Sequence, residues 1–263
     1  MFTKVSIELE ALNDGTLAYG NGRLVHGMFF KLLKEQDEEL SEKLHNMNNA
    51  KPYTVSILRS KKLKNWIYYI SSGEKVSLEG SFLDENLFKA FYDIVYKYII
   101  NKKIISIGNI NFIIKNLNLK EVMSIDEMKN KRNIKNNRFA LEFLSPTSFR
   151  KLGRNYLFPD VAHIFKSYMS RWNNVVGEEY SIDEQVLEII KENCFCIRHN
   201  INTEIMNMSQ YKIVGFRGKS YYEIDGKLDE NTKDIINNLI GFSIFCGTGY
   251  KTTMGMGETK LVK

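Results

Sequence analysis

The hydrophobic pattern of the chain changes period in the same order twice, and this repetition constrains the fold more than any other feature. Val5, Ile7, Leu9 and Ala11 alternate with polar residues, which is the period of a half-buried strand. After a turn at Asn21-Gly22, Val25, Met28, Phe29, Leu32 and Leu33 recur at helical spacing. Leu40 and Leu44 continue that face, so a broken helical region is expected over roughly 23–45. Strand-like pieces follow at Tyr53–Leu58, Trp66–Ile70 and Lys75–Leu78. Leu87, Phe91, Ile94, Val95 and Tyr98 then mark a second amphipathic helix, and Ile110–Leu119 another strand.

The second half runs in the same order. Phe139, Leu141 and Phe143 form a strand expected to stop at Ser145-Pro146. Pro159 opens a helix through Ile164, Phe165, Tyr168, Met169 and Trp172. Ser181 and Glu184 have capping-box spacing ahead of Val186, Ile189 and Ile190. Cys194–Thr203 and Tyr211–Phe216 read as paired strands, Ile235 to Ile240 as a last helix and Glu258–Val262 as the closing strand. Two β-α-β-β-α-β units predict an α+β protein of two tandem ferredoxin-like domains, 1–128 and 129–263. Between them Lys129–Arg138 is basic and aperiodic, the pattern of a solvated linker or an RNA-contacting loop.

At 263 residues each half is long enough to bury a core of its own. No apolar run is long enough to cross a bilayer and the opening residues lack the layout of a signal peptide, so a soluble, cytoplasmic protein is expected. Cys194, Cys196 and Cys246 are an odd set without a Cys-x-x-Cys pair, which disfavours a disulfide framework or a zinc site. The net charge of +6 favours an anionic partner, although a solvated basic surface would give the same total.

The most specific local feature is Gly247-Thr-Gly-Tyr-Lys-Thr-Thr-Met-Gly-Met-Gly257. Gly247, Gly249, Gly255 and Gly257 permit sharp turns that bring backbone N–H groups to a phosphate, while Lys251 adds charge and Thr252 a hydroxyl. A nucleotide-binding P-loop is disfavoured by Tyr250 and by the helix-to-strand order. His45 ends the first helical region and Lys51 follows it. A histidine can exchange a proton near neutral pH, and a cation can steady a charged phosphorane, the needs of internal RNA cleavage by the 2′-hydroxyl. The alternative is a histidine and a lysine that merely cap a helix end. His26 is a second candidate base. His163 and His199 fit structural roles better. No histidine pair or acidic cluster has metal-ligand spacing, so neither metal nor cofactor is expected.

These residues resemble the CRISPR-associated endoribonucleases of the Cas-six type, which cut precursor CRISPR RNA within its repeats. The likeness is carried by Leu24-Val-His-Gly-Met28, Leu44-His45, Lys51-Pro-Tyr-Thr-Val-Ser56, Phe143-Leu-Ser-Pro-Thr-Ser-Phe149, Leu157-Phe-Pro-Asp160 and Arg171-Trp-Asn173. Gly215-Phe-Arg-Gly218 and the terminal glycine-rich loop complete it. The resemblance implies metal-independent cleavage to a 2′,3′-cyclic phosphate and a 5′-hydroxyl, with His45 and Lys51 at the catalytic positions. Some relatives place a catalytic tyrosine where this chain has Phe30, so the alternatives are compensation by His26 or by a tyrosine elsewhere, such as Tyr53, or His45 acting with Lys51 alone. A repeat-binding subunit without activity is the competing reading. The implied partner is CRISPR repeat RNA, with other effector subunits as further candidates; the assembly is expected to be a monomer or homodimer. Arg23, Arg150, Arg154 and Arg171 are candidate phosphate contacts.

Overall fold

The computed structural model describes residues 1–47, 50–208 and 211–262. The chain is a mixed α+β protein in two compact units. The first comprises Met1–Val122, Met206–Lys212 and Thr253–Gly255, and the second Met123–Ile205, Ile213–Thr252 and Met256–Lys263. No helix among the described residues is long and apolar enough to cross a membrane.

In the first unit β1 (Phe2–Ala11) and β2 (Gly15–Ala18) precede α1 (Gly22–Gln36) and α2 (Glu38–Asn46). Next come β3 (Tyr53–Val55), β4 (Leu63–Lys64), β5 (Ile67–Ile70) and β6 (Lys75–Phe82), then α3 (Glu85–Ile100), β7 (Ile104–Ile107) and β8 (Ile110–Met123). The main sheet has the order β3-β6-β1-β8-β7, and a smaller one the order β2-β5-β4. Val5, Ile7 and Leu9 of β1 are buried on alternate positions, as the period-2 pattern requires. α1 buries Val25, Phe29, Leu32 and Leu33, with the Phe29 ring stacked on Tyr53 of β3 at 4.3 Å and on Phe91 of α3 at 5.0 Å.

The break in the first helical region falls at Asp37. Its backbone is extended, and its carboxylate accepts from the Leu40 N–H at 2.9 Å, ending α1 and capping α2 in one residue. Asp37→Ala is expected to cost about 1 kcal/mol, read as a lower urea midpoint with an unchanged slope.

The second unit holds α4 (Ile125–Asn130), β9 (Arg138–Thr147), β10 (Phe149–Lys151), β11 (Arg154–Tyr156), α5 (Val161–Val175) and α6 (Gln185–Asn193). β12 (Cys194–Asn207), β13 (Lys212–Ile224), α7 (Glu230–Cys246) and β14 (Thr259–Leu261) follow. Its sheet has the order β12-β13-β9-β14, and β10-β11 is a separate hairpin. Phe139 stacks on Tyr222 at 4.8 Å within the sheet, and Trp172 of α5 meets Phe242 of α7 at 5.2 Å.

Four expectations change. β9 runs through Pro146 to Thr147, because the register of β13 against β9 shifts between Phe216 and Gly218, an irregularity of the kind that tolerates a proline without an N–H. Ser181 and Glu184 form no capping box, since α6 starts later and Glu184 makes no side-chain cap. A capping box does form at α4, between Ser124 and Glu127. The basic stretch expected as a linker is fastened to α7. There buried Asn237 accepts from the Asn133 N–H at 2.7 Å and donates to the Lys131 carbonyl at 2.8 Å, and Arg132 pairs with Asp234. Finally, Tyr53–Leu58 is a strand only to Val55. Leu58 is held instead by the Asn21 side chain, which accepts from its N–H and donates to its carbonyl, both at 2.8 Å.

Candidate active site and glycine-rich loop

α1 carries His26 and Phe30 four residues apart, and α2 delivers His45 from its last turn. The Phe30 ring is the shared wall. Its centroid lies 4.9 Å from the His26 ring, 5.9 Å from the His45 ring and 6.2 Å from the Tyr53 ring, with the Lys51 ammonium 5.9 Å away. His45 is exposed, and His26, Phe30 and Lys51 are half-buried. Phe30, Lys31 and Lys34 of α1 with Ser41, Glu42, His45 and Asn46 of α2 line an open groove of about 650 Å³. The motif from His45 to Tyr53 includes Asn48 and Asn49, which lie outside the described residues.

Lys51 is committed to the end of α2. Its ammonium donates to the Leu44 carbonyl and, at 3.0 Å, to the His45 carbonyl, so it satisfies orphan helix acceptors while holding positive charge beside His45. Burial lowers its pKa from the usual lysine range. Tyr53 is fully buried and burial pushes its phenol well above its ordinary pKa, which makes it a poor proton donor to substrate. Its hydroxyl sits 3.1 Å from His26 Nδ1 and so helps to position that ring.

His26 has a second partner at the same nitrogen. The Thr253 carbonyl, at the tip of the glycine-rich loop, lies 2.9 Å from Nδ1. A carbonyl has no proton to give, so in the neutral imidazole this contact favours the tautomer with the proton on Nδ1 and the lone pair on Nε2. The sequence alone did not reveal this bond between residues 227 positions apart. The only local signal was the i,i+4 spacing of His26 and Phe30 on one helix face.

The loop itself is built differently from the expectation. The N–H groups of Gly247, Gly249 and Gly257 are used inside the fold, donating to the Ser243 carbonyl at 2.9 Å, the Ser167 hydroxyl at 3.0 Å and the Pro146 carbonyl at 3.1 Å. They are not aimed at a phosphate. What these positions need is a left-handed backbone and close approach. A Cβ on Gly249 (φ +78°) would lie 2.3 Å from the Ser148 carbonyl oxygen, and one on Gly255 (φ +82°) 2.6 Å from Ile57. Lys251 adopts φ +57° with its ammonium 5.1 Å from the Tyr250 ring, and Thr252 is buried.

The arginines divide. Arg171 turns inward, donating to the Ser167 hydroxyl and the Gly249 carbonyl, with the Thr252 hydroxyl 3.4 Å away; it fastens the loop and is not a surface phosphate contact. Arg150 and Arg154 are exposed on the β10-β11 hairpin, where Arg150 bonds Asn155 at 2.9 Å and lies 5.4 Å from the Tyr250 ring. Arg23 is half-buried in the first turn of α1. His163 bonds Asp160 at 2.8 Å and stacks on Tyr156, and His199 packs its ring against Phe158 at 5.2 Å. No cluster of three or more His, Cys, Asp or Glu suited to a metal occurs among the described residues.

Comparison with known proteins adds what the geometry alone does not. The CRISPR Cas6 N-terminal domain family matches residues 5–122, and the family of the CRISPR-associated endoribonuclease Cas6 matches residues 141–259. The chain belongs to the Cas6 family. Among relatives, the CRISPR-associated endoribonuclease Cas6 of Streptococcus thermophilus is 22% identical over 233 residues, covering 88% of each chain. The Mycobacterium tuberculosis protein of the same description is 26% identical over 125 residues, 47% of this chain and 38% of its own. Of solved structures, a Cas6 product complex superposes with a TM-score of 0.82 at 21% identity over the whole of both chains. Thermus thermophilus Cas6 does so with a TM-score of 0.71 at 20% identity, covering 100% of this chain and 98% of its own. At these identities the structural likeness speaks for the fold; the residues of this chain must carry the chemistry.

Proposed function

We propose that this family member is a metal-independent endoribonuclease that binds CRISPR repeat RNA and cuts precursor CRISPR RNA by internal attack of a 2′-hydroxyl. The observation that carries the reading is the pair of imidazoles, His26 and His45, that both meet the Phe30 ring edge-on, with the Lys51 charge 5.9 Å from the same ring. Internal cleavage needs one group to take the 2′-proton and another to protonate the departing 5′-oxygen. The lone pair on His26 Nε2 suits the first task, and His45, exposed in the groove, the second. Lys51 offsets the charge that builds on the phosphorane. A catalytic hydroxyl at position 30 is then unnecessary, which answers the absence of tyrosine there. Each unit is read as a ferredoxin-like domain. Counting only the strands of the β-α-β-β-α-β pattern, both main sheets place the second beside the third, the third beside the first and the first beside the fourth.

The test is incubation of the protein with repeat RNA in excess chelator. One cut is expected, leaving a 2′,3′-cyclic phosphate and a 5′-hydroxyl, and a single 2′-deoxy substitution at the cut should abolish it. Cleavage that needs added magnesium, or that survives the 2′-deoxy substitution, would reject the mechanism. Tight binding of RNA that stays intact would select a repeat-holding subunit instead.

A further inference from the structure

The hairpin of β4 and β5 turns through Asn65 (φ +51°) and Trp66 (φ +62°), a two-residue connection between Lys64 and Ile67. Two successive left-handed residues make the type I′ geometry, which strongly favours glycine at its second position. A tryptophan there is strained, and the fold gains little from it. Trp66 as a residue remains 54% exposed, and its ring meets Tyr19 edge-on at 5.0 Å. Strain kept at an exposed aromatic points to a ligand.

Charge around the turn points to the class of ligand. Lys61, Lys62 and Lys64 are all exposed, and among the described residues none has a carboxylate partner. On the outer face of the same small sheet Ile67 and Tyr69 are also exposed, Tyr69 at 44%. Unpaired cations interleaved with open aromatic faces suit single-stranded nucleic acid, whose bases stack while its phosphates are neutralised. A duplex would keep its bases in the stack.

The hairpin is tied to the catalytic helix. The Trp66 carbonyl accepts from the Tyr19 N–H at 2.8 Å, and Asn21, next to the first residue of α1, binds Leu58 at the start of the segment leading into the hairpin. His26 lies one helical turn further along, about 6 Å by helix rise. We propose that the β4-β5 hairpin is a second RNA-contact element of this protein. Trp66 stacks on an unpaired base flanking the cut, and Lys61, Lys62 and Lys64 take the adjoining phosphates. This rests on the nuclease reading above.

The experiment compares the wild type with Trp66→Gly, which restores the favoured Asn-Gly turn and so keeps the hairpin folded. The probes are repeat RNA made uncleavable by a 2′-deoxy cut site, with single-stranded flanks on both sides of the cut, and the same RNA trimmed to the few nucleotides around the cut. Trp66→Gly should melt no lower than wild type, bind the flanked RNA about 10-fold more weakly and bind the trimmed RNA equally well. Replacing Lys61, Lys62 and Lys64 together by alanine should reduce the slope of log affinity against log salt by about 2 for the flanked RNA. Trp172 is only 3% exposed, so RNA-dependent quenching of tryptophan emission should vanish in Trp66→Gly. Equal affinity of wild type and Trp66→Gly for the flanked RNA, with an unchanged salt slope in the lysine variant, would overturn the inference alone and leave the hairpin to a protein partner. A wild type that binds neither RNA would overturn the nuclease reading and this inference with it.

Discussion

His26→Ala and His45→Ala are each expected to slow single-turnover cleavage by roughly 10²–10⁴-fold, the usual worth of a positioned acid or base, while RNA affinity changes little. The two variants should differ in their pH profiles. Rate rises with pH as a base loses its proton and falls as an acid does. His26→Ala should therefore flatten the acidic limb, and His45→Ala the alkaline limb. The opposite pattern would reverse the roles, and a wild-type rate in either variant would remove that histidine from the mechanism. Tyr53→Phe keeps the ring stacked on Phe29 and leaves the Thr253 carbonyl in place, so it should cost far less than His26→Ala. That difference separates a group that moves a proton from one that positions it.

Gly257→Ala should be among the most damaging single-methyl changes in the protein. Gly257 has φ +68°, and an added Cβ would lie 2.0 Å from the Thr248 carbonyl oxygen. The Gly257 carbonyl also accepts from the Thr248 N–H at 2.8 Å, so neither strand of the loop can move aside without losing a bond. A left-handed alanine and an unrelieved contact together should cost roughly 2–5 kcal/mol, read from the urea midpoint. Cleavage should fall with stability, since Thr253, which sets the tautomer of His26, belongs to the same loop. Gly27→Ala makes the contrast. Gly27 lies within α1, where a Cβ would meet nothing within 4 Å, and alanine should raise stability by about 0.5–1 kcal/mol. If Gly257→Ala unfolds at the wild-type midpoint, the loop glycines must be explained by a ligand and not by the fold.

The terminal loop shows how far a motif can be read without coordinates. Its glycine spacing announced unusual backbone, and the positive φ angles of Gly247, Gly249, Gly255 and Gly257 bear that out. The purpose assigned to it, N–H groups offered to phosphate, does not hold for Gly247, Gly249 and Gly257, whose N–H groups already have carbonyl or hydroxyl partners. Arg171 went the same way. A basic side chain on a helix looks like a phosphate contact until its guanidinium is found holding the Gly249 carbonyl. Sequence gives the chemistry of a donor but not the direction in which it points.

Periodicity, caps and breakers are local properties, encoded by neighbours three or four residues apart on a helix or two apart on a strand. They were enough to recover the order of the main strands and helices, the buried faces of α1 and β1, and the ending of the first helical region with His45 on its last turn. Which histidine the glycine-rich loop would touch, which tautomer that contact would favour, and that His45 would meet the same Phe30 ring as His26 depended on contacts between residues remote in sequence. Those contacts are selected by the packing of a whole unit, in which burial energy is shared among many side chains and no short stretch carries the information alone.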